Sequence, residues 1–262
     1  MIATLIANAR KIVIKIGSNT LADSDGRINE GLLNSFAEQV AALITAGKQL
    51  VLVSSGAQVA GLSTMQKWAR KQDLHYKQAL CAVGQVELMG AWRRAFQERG
   101  LHIGQILLTR DDFDDPIRTL NMRNTLFTLV DEGIVPIINE NDTVSIEEIK
   151  IGDNDTLAAQ SAVLWSADLL ILFSDIDGLY DKSPREHSDA QLLAEVRDIA
   201  ATKARVSIGA TNRFGTGGIA TKLEAAERVV AYGIPMILAH GGRERPLEAL
   251  AAGTQQGTAF LT

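Results

Sequence analysis

Gly215-Thr216-Gly217-Gly218-Ile219-Ala220-Thr221-Lys222 is the segment whose residue types and spacing point most directly to chemistry. Three glycines in four positions let the backbone approach a ligand closely and take φ values that other residues resist. Apolar residues follow at Ile219, Leu223, Ala226 and Val230, the repeat of one buried helix face. The glycines therefore open a helix, and a helix N-terminus offers unpaired N–H groups and a partial positive charge to a phosphate. Lys222, in the first turn, brings a point charge to the same place. The spacing is not Walker A, which needs four residues between its first glycine and a Gly-Lys-Ser/Thr unit. A glycine-rich turn beside a solvated lysine fits the same letters, so other segments must decide.

Four further segments set polar or glycine residues where apolar runs end, and in an open α/β sheet ligands sit just past the carboxyl ends of the strands. Lys15-Ile16-Gly17-Ser18-Asn19 closes the run from Lys11. Lys15 reads either as a site lysine or as an edge-strand lysine reaching solvent. Ser54-Ser55-Gly56-Ala57 follows residues 50–53 and offers hydroxyls and N–H groups to a small anion, or a plain helix N-cap. Asn139-Glu140-Asn141-Asp142 reads as an acidic, amide-rich turn after residues 134–138. Gly152-Asp153-Asn154-Asp155 then opens a helix marked by Leu157, Ala158, Ala162 and Trp165. One Asp or Asn suffices for a cap, and three behind a glycine are a surplus. The surplus points to ligand contact, lysine positioning or indirect organisation of Mg2+. Ser174-Asp175-Ile176-Asp177-Gly178, after residues 169–173, suits a nucleotide's phosphate or sugar edge, or a simple turn at Asp177-Gly178.

An alternation of short β-rich runs and amphipathic helices must position these segments. Leu32, Phe36, Val40 and Leu43 mark a helix face that Gly47 ends. A long helix is predicted over 78–99, a strand over 102–108, a helix near 119–132 and a strand over 235–238. Residues 140–150 read as a β-hairpin excursion and 182–189 as a polar loop. The rhythm predicts an α/β fold with a mostly parallel central sheet and helices on both faces. No repeat, low-complexity stretch or linker divides residues 1–262, which reads as one domain with lobes.

Composition narrows the function classes. A hydrophobic content of 46% and a charged content of 22% are those of a soluble globular chain. The net charge of −5, without a dense basic run, argues against nucleic acid. The single cysteine, Cys81, excludes an internal disulfide and a cysteine-based zinc site. Between Leu80 and Ala82 it reads as a packed thiol. No apolar run approaches about 18 residues, and the first 15 lack a signal-peptide core, so a cytoplasmic protein without membrane contact is expected. His75, His102, His187 and His240 fall in no catalytic pattern.

Read in order, these segments resemble the glutamate 5-kinases of the amino-acid kinase superfamily. The resemblance also takes in Lys77-Gln78-Ala79-Leu80, Ala82-Val83-Gly84-Gln85, Asn121-Met122-Arg123-Asn124-Thr125 and Asp177-Gly178-Leu179-Tyr180, and spans nearly the whole chain. It implies a three-layer α/β/α sandwich that moves the γ-phosphate of ATP, with Mg2+, to the side-chain carboxylate of L-glutamate. The product would be glutamyl 5-phosphate, the first committed intermediate toward proline. By position, Lys15 and Lys222 would flank the migrating phosphoryl group, and Asp155 is the candidate that holds both lysines. Ser55, Gly56, Asp142 and Asn154 would hold glutamate, mainly from the N-terminal part. Lys15, Ser174, Asp175, Thr216, Gly217, Gly218, Ile219, Ala220, Thr221 and Lys222 would face ATP, mainly from the C-terminal part. No protein ligand to a metal is expected. The resemblance further implies a dimer or tetramer and feedback by proline at the glutamate pocket. Many members carry a C-terminal PUA domain; the sequence stops at Leu261-Thr262, where the kinase domain is expected to end, as in a naturally short member or a truncated piece of a longer one. Ser174 stands where threonine is common and Asn19 where serine is common, both mild changes. No general base is needed, because a carboxylate is already ionised near pH 7. The nearest rival is a kinase of the same superfamily with another carboxylate or phosphate acceptor. A dinucleotide oxidoreductase would need Gly-x-Gly-x-x-Gly where this chain reads Lys-Ile-Gly-Ser-Asn. A non-enzymatic sensor would have no use for both lysines and the acidic segments.

Overall fold

The computed structural model describes residues 1–23, 25–65, 73–145, 154–184, 186–206 and 218–262. Their strands are β1 (Lys11–Ile16), β2 (Gln49–Ser54), β3 (Ile103–Leu108), β4 (Val135–Glu140), β5 (Leu169–Ser174), β6 (Glu195–Val196), β7 (Met236–His240) and β8 (Thr258–Phe260). Among the described residues they form one sheet in the order β3-β4-β2-β1-β5-β7-β8-β6. Every pairing is parallel except β7 with β8. Parallel strands covered on both faces need apolar residues on both, which is why β1, β2 and β5 read as near-continuous apolar runs.

Two cores lie on the two faces. Ile12, Ile14 and Ile16 of β1 face a core with Phe36, Trp92, Phe96 and Phe173, closed by helices Glu30–Thr45, Leu74–Gln97 and Pro246–Ala252. Val13 faces the opposite core with Leu126, Trp165, Leu172 and Leu223, under helices Pro116–Asp131, Asn154–Trp165 and Ile219–Val230. The fold is thus a three-layer α/β/α sandwich. Each fully buried Ile, Leu or Phe contributes about 1.5–3 kcal/mol. Strand residues alternate faces, so Lys15 leaves β1 on the side of Val13, toward helices Asn154–Trp165 and Ile219–Val230. The chain runs from β1 to β2 on one flank and returns to β5 on the other. The β1/β5 boundary is therefore a topological switch point, where ligands bind in such sheets.

Local signals start the helices. Asn29 accepts from Leu32 N at 3.0 Å, Asp73 from Tyr76 N at 3.2 Å, and Asp115 from Ile117 N at 2.8 Å ahead of Pro116. Helix Ala57–Met65 crosses helix Leu74–Gln97 so closely that a Cβ on Gly84 would lie 1.8 Å from Ala57 O. Glycine is required there.

Several expectations need correction. Lys15 is no edge-strand lysine, because β1 lies between β2 and β5. Asn139 and Glu140 end strand β4 rather than forming a turn. Of the expected hairpin, residues 141–145 form a turn in which Val144 N and Ser145 N donate to Asn141 O, and 146–150 lie outside the described residues. The helix expected near 119–132 starts earlier, at Pro116. Strands β6 and β8, of two and three residues, are too short to leave a periodic signal.

Candidate active site

Three charged side chains meet past the carboxyl end of β1. Lys15 Nζ lies 2.6 Å from Asp155 Oδ1, and Lys222 Nζ lies 3.0 Å from Asp155 Oδ2. The residues are 6%, 5% and 1% exposed for Lys15, Lys222 and Asp155. Each comes from a different element: β1, the first turn of helix Ile219–Val230, and the first turn of helix Asn154–Trp165. Burial alone would raise the Asp155 pKa. The charges and hydrogen bonds of Lys15 and Lys222 outweigh burial and hold it at about 2. Thr221 Oγ1 sits 3.1 Å from Asp155 Oδ2 and 2.8 Å from Gly218 O, with one proton to give. The cluster carries two positive charges against one negative, beside a helix N-terminus. It is suited to an anion.

A second, mostly neutral group lies alongside. Asn154 Nδ2 donates to Ser55 Oγ at 2.7 Å and to Asn139 Oδ1 at 2.8 Å. Asn139 Nδ2 in turn donates to Gln85 Oε1 at 2.8 Å. Asn154 Oδ1 is buried and has no partner among the described residues, so it is available to a ligand donor. Ser55 and Gly56 form the turn from β2 into helix Ala57–Met65, where Gly56 holds φ at +114°, a value that favours glycine. Trp92 Nε1 donates to Ser54 Oγ at 2.8 Å, which steadies this turn from below. Burial pushes the carboxyl of Asp142 up to about 6, and a hydrogen bond from the Cys81 thiol offsets that only in part.

At the end of β5, Asp175 Oδ2 accepts from Asn19 Nδ2 at 3.2 Å and Oδ1 from Ser174 Oγ at 3.1 Å. Burial works to raise its pKa, but these bonds, with Lys222 adding, hold it below the ordinary value. Gly218, Ile219, Ala220 and Thr221 open the helix that carries Lys222. Thr216 and Gly217 lie outside the described residues, as do Gly152 and Asp153. Among the described residues, no three His, Cys, Asp or Glu side chains converge as a cation cage.

Sequence reasoning quoted Asn139 and Gln85 within longer segments but gave neither of them, nor Trp92, a role in this site. The Gln85 to Asn139 bond spans 54 residues and the Trp92 to Ser54 bond 38, and no local spacing encodes either.

Comparison with known proteins bears on this geometry. Residues 10–240 match the amino acid kinase family. A glutamate 5-kinase of Alkaliphilus metalliredigens is 61% identical across 99% of this chain and 98% of its own. One from Geobacter sulfurreducens is 44% identical across 98% of this chain and 69% of its own. Among solved structures, a UMP kinase from Ureaplasma parvum superposes with a TM-score of 0.65 at 16% identity, over 97% of this chain and 99% of that one. This last likeness shows the fold alone.

Proposed function

The chain belongs to the amino acid kinase family and, within it, to the glutamate 5-kinases, and on that premise we propose that Lys15, Lys222 and Asp155 carry its phosphoryl transfer. The reaction moves the γ-phosphoryl group of ATP to the side-chain carboxylate of L-glutamate, the first step of proline biosynthesis. A carboxylate oxygen forms the new bond to phosphorus as the bond to the bridging oxygen of ADP breaks. No proton has to be removed, since the acceptor is already an anion near pH 7. The obstacle is repulsion between two anions and the charge on the equatorial oxygens, and fixed positive groups lower it. The observation that carries this reading is that both ammonium groups rest on the two oxygens of one buried carboxylate. Asp155 holds both at fixed reach, so little reorganisation is needed as the phosphoryl group moves.

Ser55, Gly56, Asp142 and Asn154 form the proposed glutamate pocket. Above about pH 6 Asp142 is ionised and attracts the α-ammonium group. Ser174, Asp175 and Gly218 to Lys222, with Thr216 and Gly217, form the proposed ATP side. The N-terminal part of one domain would thus hold mainly glutamate and the C-terminal part mainly ATP. Mg2+ is proposed with the nucleotide, since no cluster of three His, Cys, Asp or Glu among the described residues fits a resident site. Homo-oligomer assembly is proposed with the exposed apolar residues Val86, Ile117 and Leu120, and Leu107 on the edge strand β3, as candidate contacts. Proline would compete at the glutamate pocket. Among the described residues, no helix is long and apolar enough to cross a membrane.

The test is glutamate-dependent ADP release with the acyl phosphate trapped as hydroxamate, with and without proline. Release stimulated by glutamate, with hydroxamate formed, is expected. Release driven instead by another carboxylate or by a nucleoside monophosphate would overturn the acceptor assignment.

A further inference from the structure

Cys81, Gln85, Leu88 and Trp92 follow steps of four, three and four along helix Leu74–Gln97 and share one buried face. Each polar member of that stripe reaches an element of the glutamate pocket. The Cys81 thiol hydrogen-bonds Asp142, Trp92 Nε1 donates to Ser54 Oγ, and Gln85 Oε1 accepts from Asn139 Nδ2. Through Asn139 this last bond continues to Asn154 and Ser55, so Gln85 ends a relay of three side-chain amides.

A side-chain amide has a donor end and an acceptor end, so such a relay has a direction. In the observed direction both hydrogens of Asn154 Nδ2 are used, and its Oδ1 is left as an acceptor for a ligand. In the reverse direction, Asn154 would spend its oxygen on Asn139 and Ser55 and turn a donor toward the ligand. The observed direction is complete only if an acceptor waits beyond Asn139. Gln85 Oε1 is that acceptor. Gln85 is 9% exposed, and its Nε2 has no partner among the described residues. A buried amide that uses only its oxygen is poorly explained by packing, because an unmade donor bond costs stability.

We infer that Gln85 is a positioning residue for acceptor specificity, whose Oε1 closes the Asn139–Asn154 relay so that Asn154 presents Oδ1 to the α-ammonium group of glutamate. This rests on the reading of Asn154 as part of the glutamate pocket. Gln85 itself touches no substrate.

The experiment compares the glutamate KM with the inhibition constant of glutarate, which lacks the ammonium group, in the full-length parent and three variants. Gln85→Met keeps length and volume but loses the acceptor. It should raise the glutamate KM about tenfold with kcat nearly unchanged, and reduce the preference for glutamate over glutarate by the same factor. Its melting temperature should change little, since the unmade donor of Gln85 is removed while a hydrogen of Asn139 Nδ2 loses its acceptor. Gln85→Glu, assayed at a pH high enough to ionise it, offers only acceptors and should keep both the KM and the preference, a rescue that a space-filling role would not require. Asn154→Ala tests the premise and should lower the preference. If Gln85→Met leaves the preference intact, or Gln85→Glu destroys it, while Asn154→Ala lowers it, the role of Gln85 is refuted and the pocket stands. If Asn154→Ala leaves the glutamate KM unchanged, the pocket assignment fails first. Should Gln85→Met not fold, the result for Gln85→Glu alone decides.

Discussion

Asp155 and Asp142 are both buried carboxylates, 1% and 7% exposed, and their surroundings shift them in opposite directions. Asp155 has two ammonium groups against it and is held at about 2 despite its burial. Asp142 has a thiol for company, and burial carries it up to about 6. The difference separates two ways of building a polar cavity. Around Asp155, charge is matched within the protein, and the surplus positive charge is stored for an anion. Beside Asp142, the Oδ1 of Asn154 is left open among the described residues, and in the proposed pocket the substrate completes that bond. The proposed transferring side is finished before ligands arrive; the proposed accepting side is not.

The largest expected effect breaks the finished side. Asp155→Asn leaves two buried ammonium groups facing a neutral amide, and should lower stability by about 3–5 kcal/mol in urea titration, with loss of turnover. A variant with parental stability and near-normal kcat would show that the pairing is dispensable. The next sharpens the contrast through pH. Folding depresses the pKa of Asp155 below its ordinary 3.8, so its contribution to stability is present above that value and lost as pH falls toward about 2. Folding raises the pKa of Asp142, so its contribution is present below 3.8 and lost as pH rises through about 6. Over the same window glutamate binding should improve, because the ionised form attracts the ammonium group. The glutamate KM should therefore rise up to about tenfold per pH unit below pH 6. Asp142→Asn should flatten that rise, and an unaltered profile would remove Asp142 from the pocket. The smallest effect concerns the support beneath the accepting side. Trp92→Phe loses the bond to Ser54 Oγ, worth about 1 kcal/mol, and should raise the glutamate KM about fivefold with little change in kcat. A fall in kcat alone would place Trp92 with the transferring side instead.

The finished side was the more legible in sequence, for a physical reason. Lys15, Asp155 and Lys222 sit at a strand end or a helix start, and those ends are marked locally by glycines, caps and breaks in apolar runs. The strands themselves were legible because burial on both faces demands unbroken apolar stretches. The relay from Gln85 left no such mark. Its bonds join residues 54, 15 and 99 positions apart, and each amide alone passes for a solvated or capping residue. The central place of Lys15 was also hidden, since a lysine among isoleucines fits an edge strand until the pairing partners are known. Asn139 was misread as a turn residue because the break in apolar character precedes the end of β4.

Single-turnover rates at saturating ATP and glutamate for Lys15→Met, Lys222→Met and the double variant test most directly whether two ammonium groups act together on one phosphoryl group. Each single change should slow transfer by about 10²–10³, and the double variant should be far less damaged than the product of the two, because neither charge works without the other. A single variant that transfers at the parental rate, with only its KM for ATP raised, would contradict the shared role.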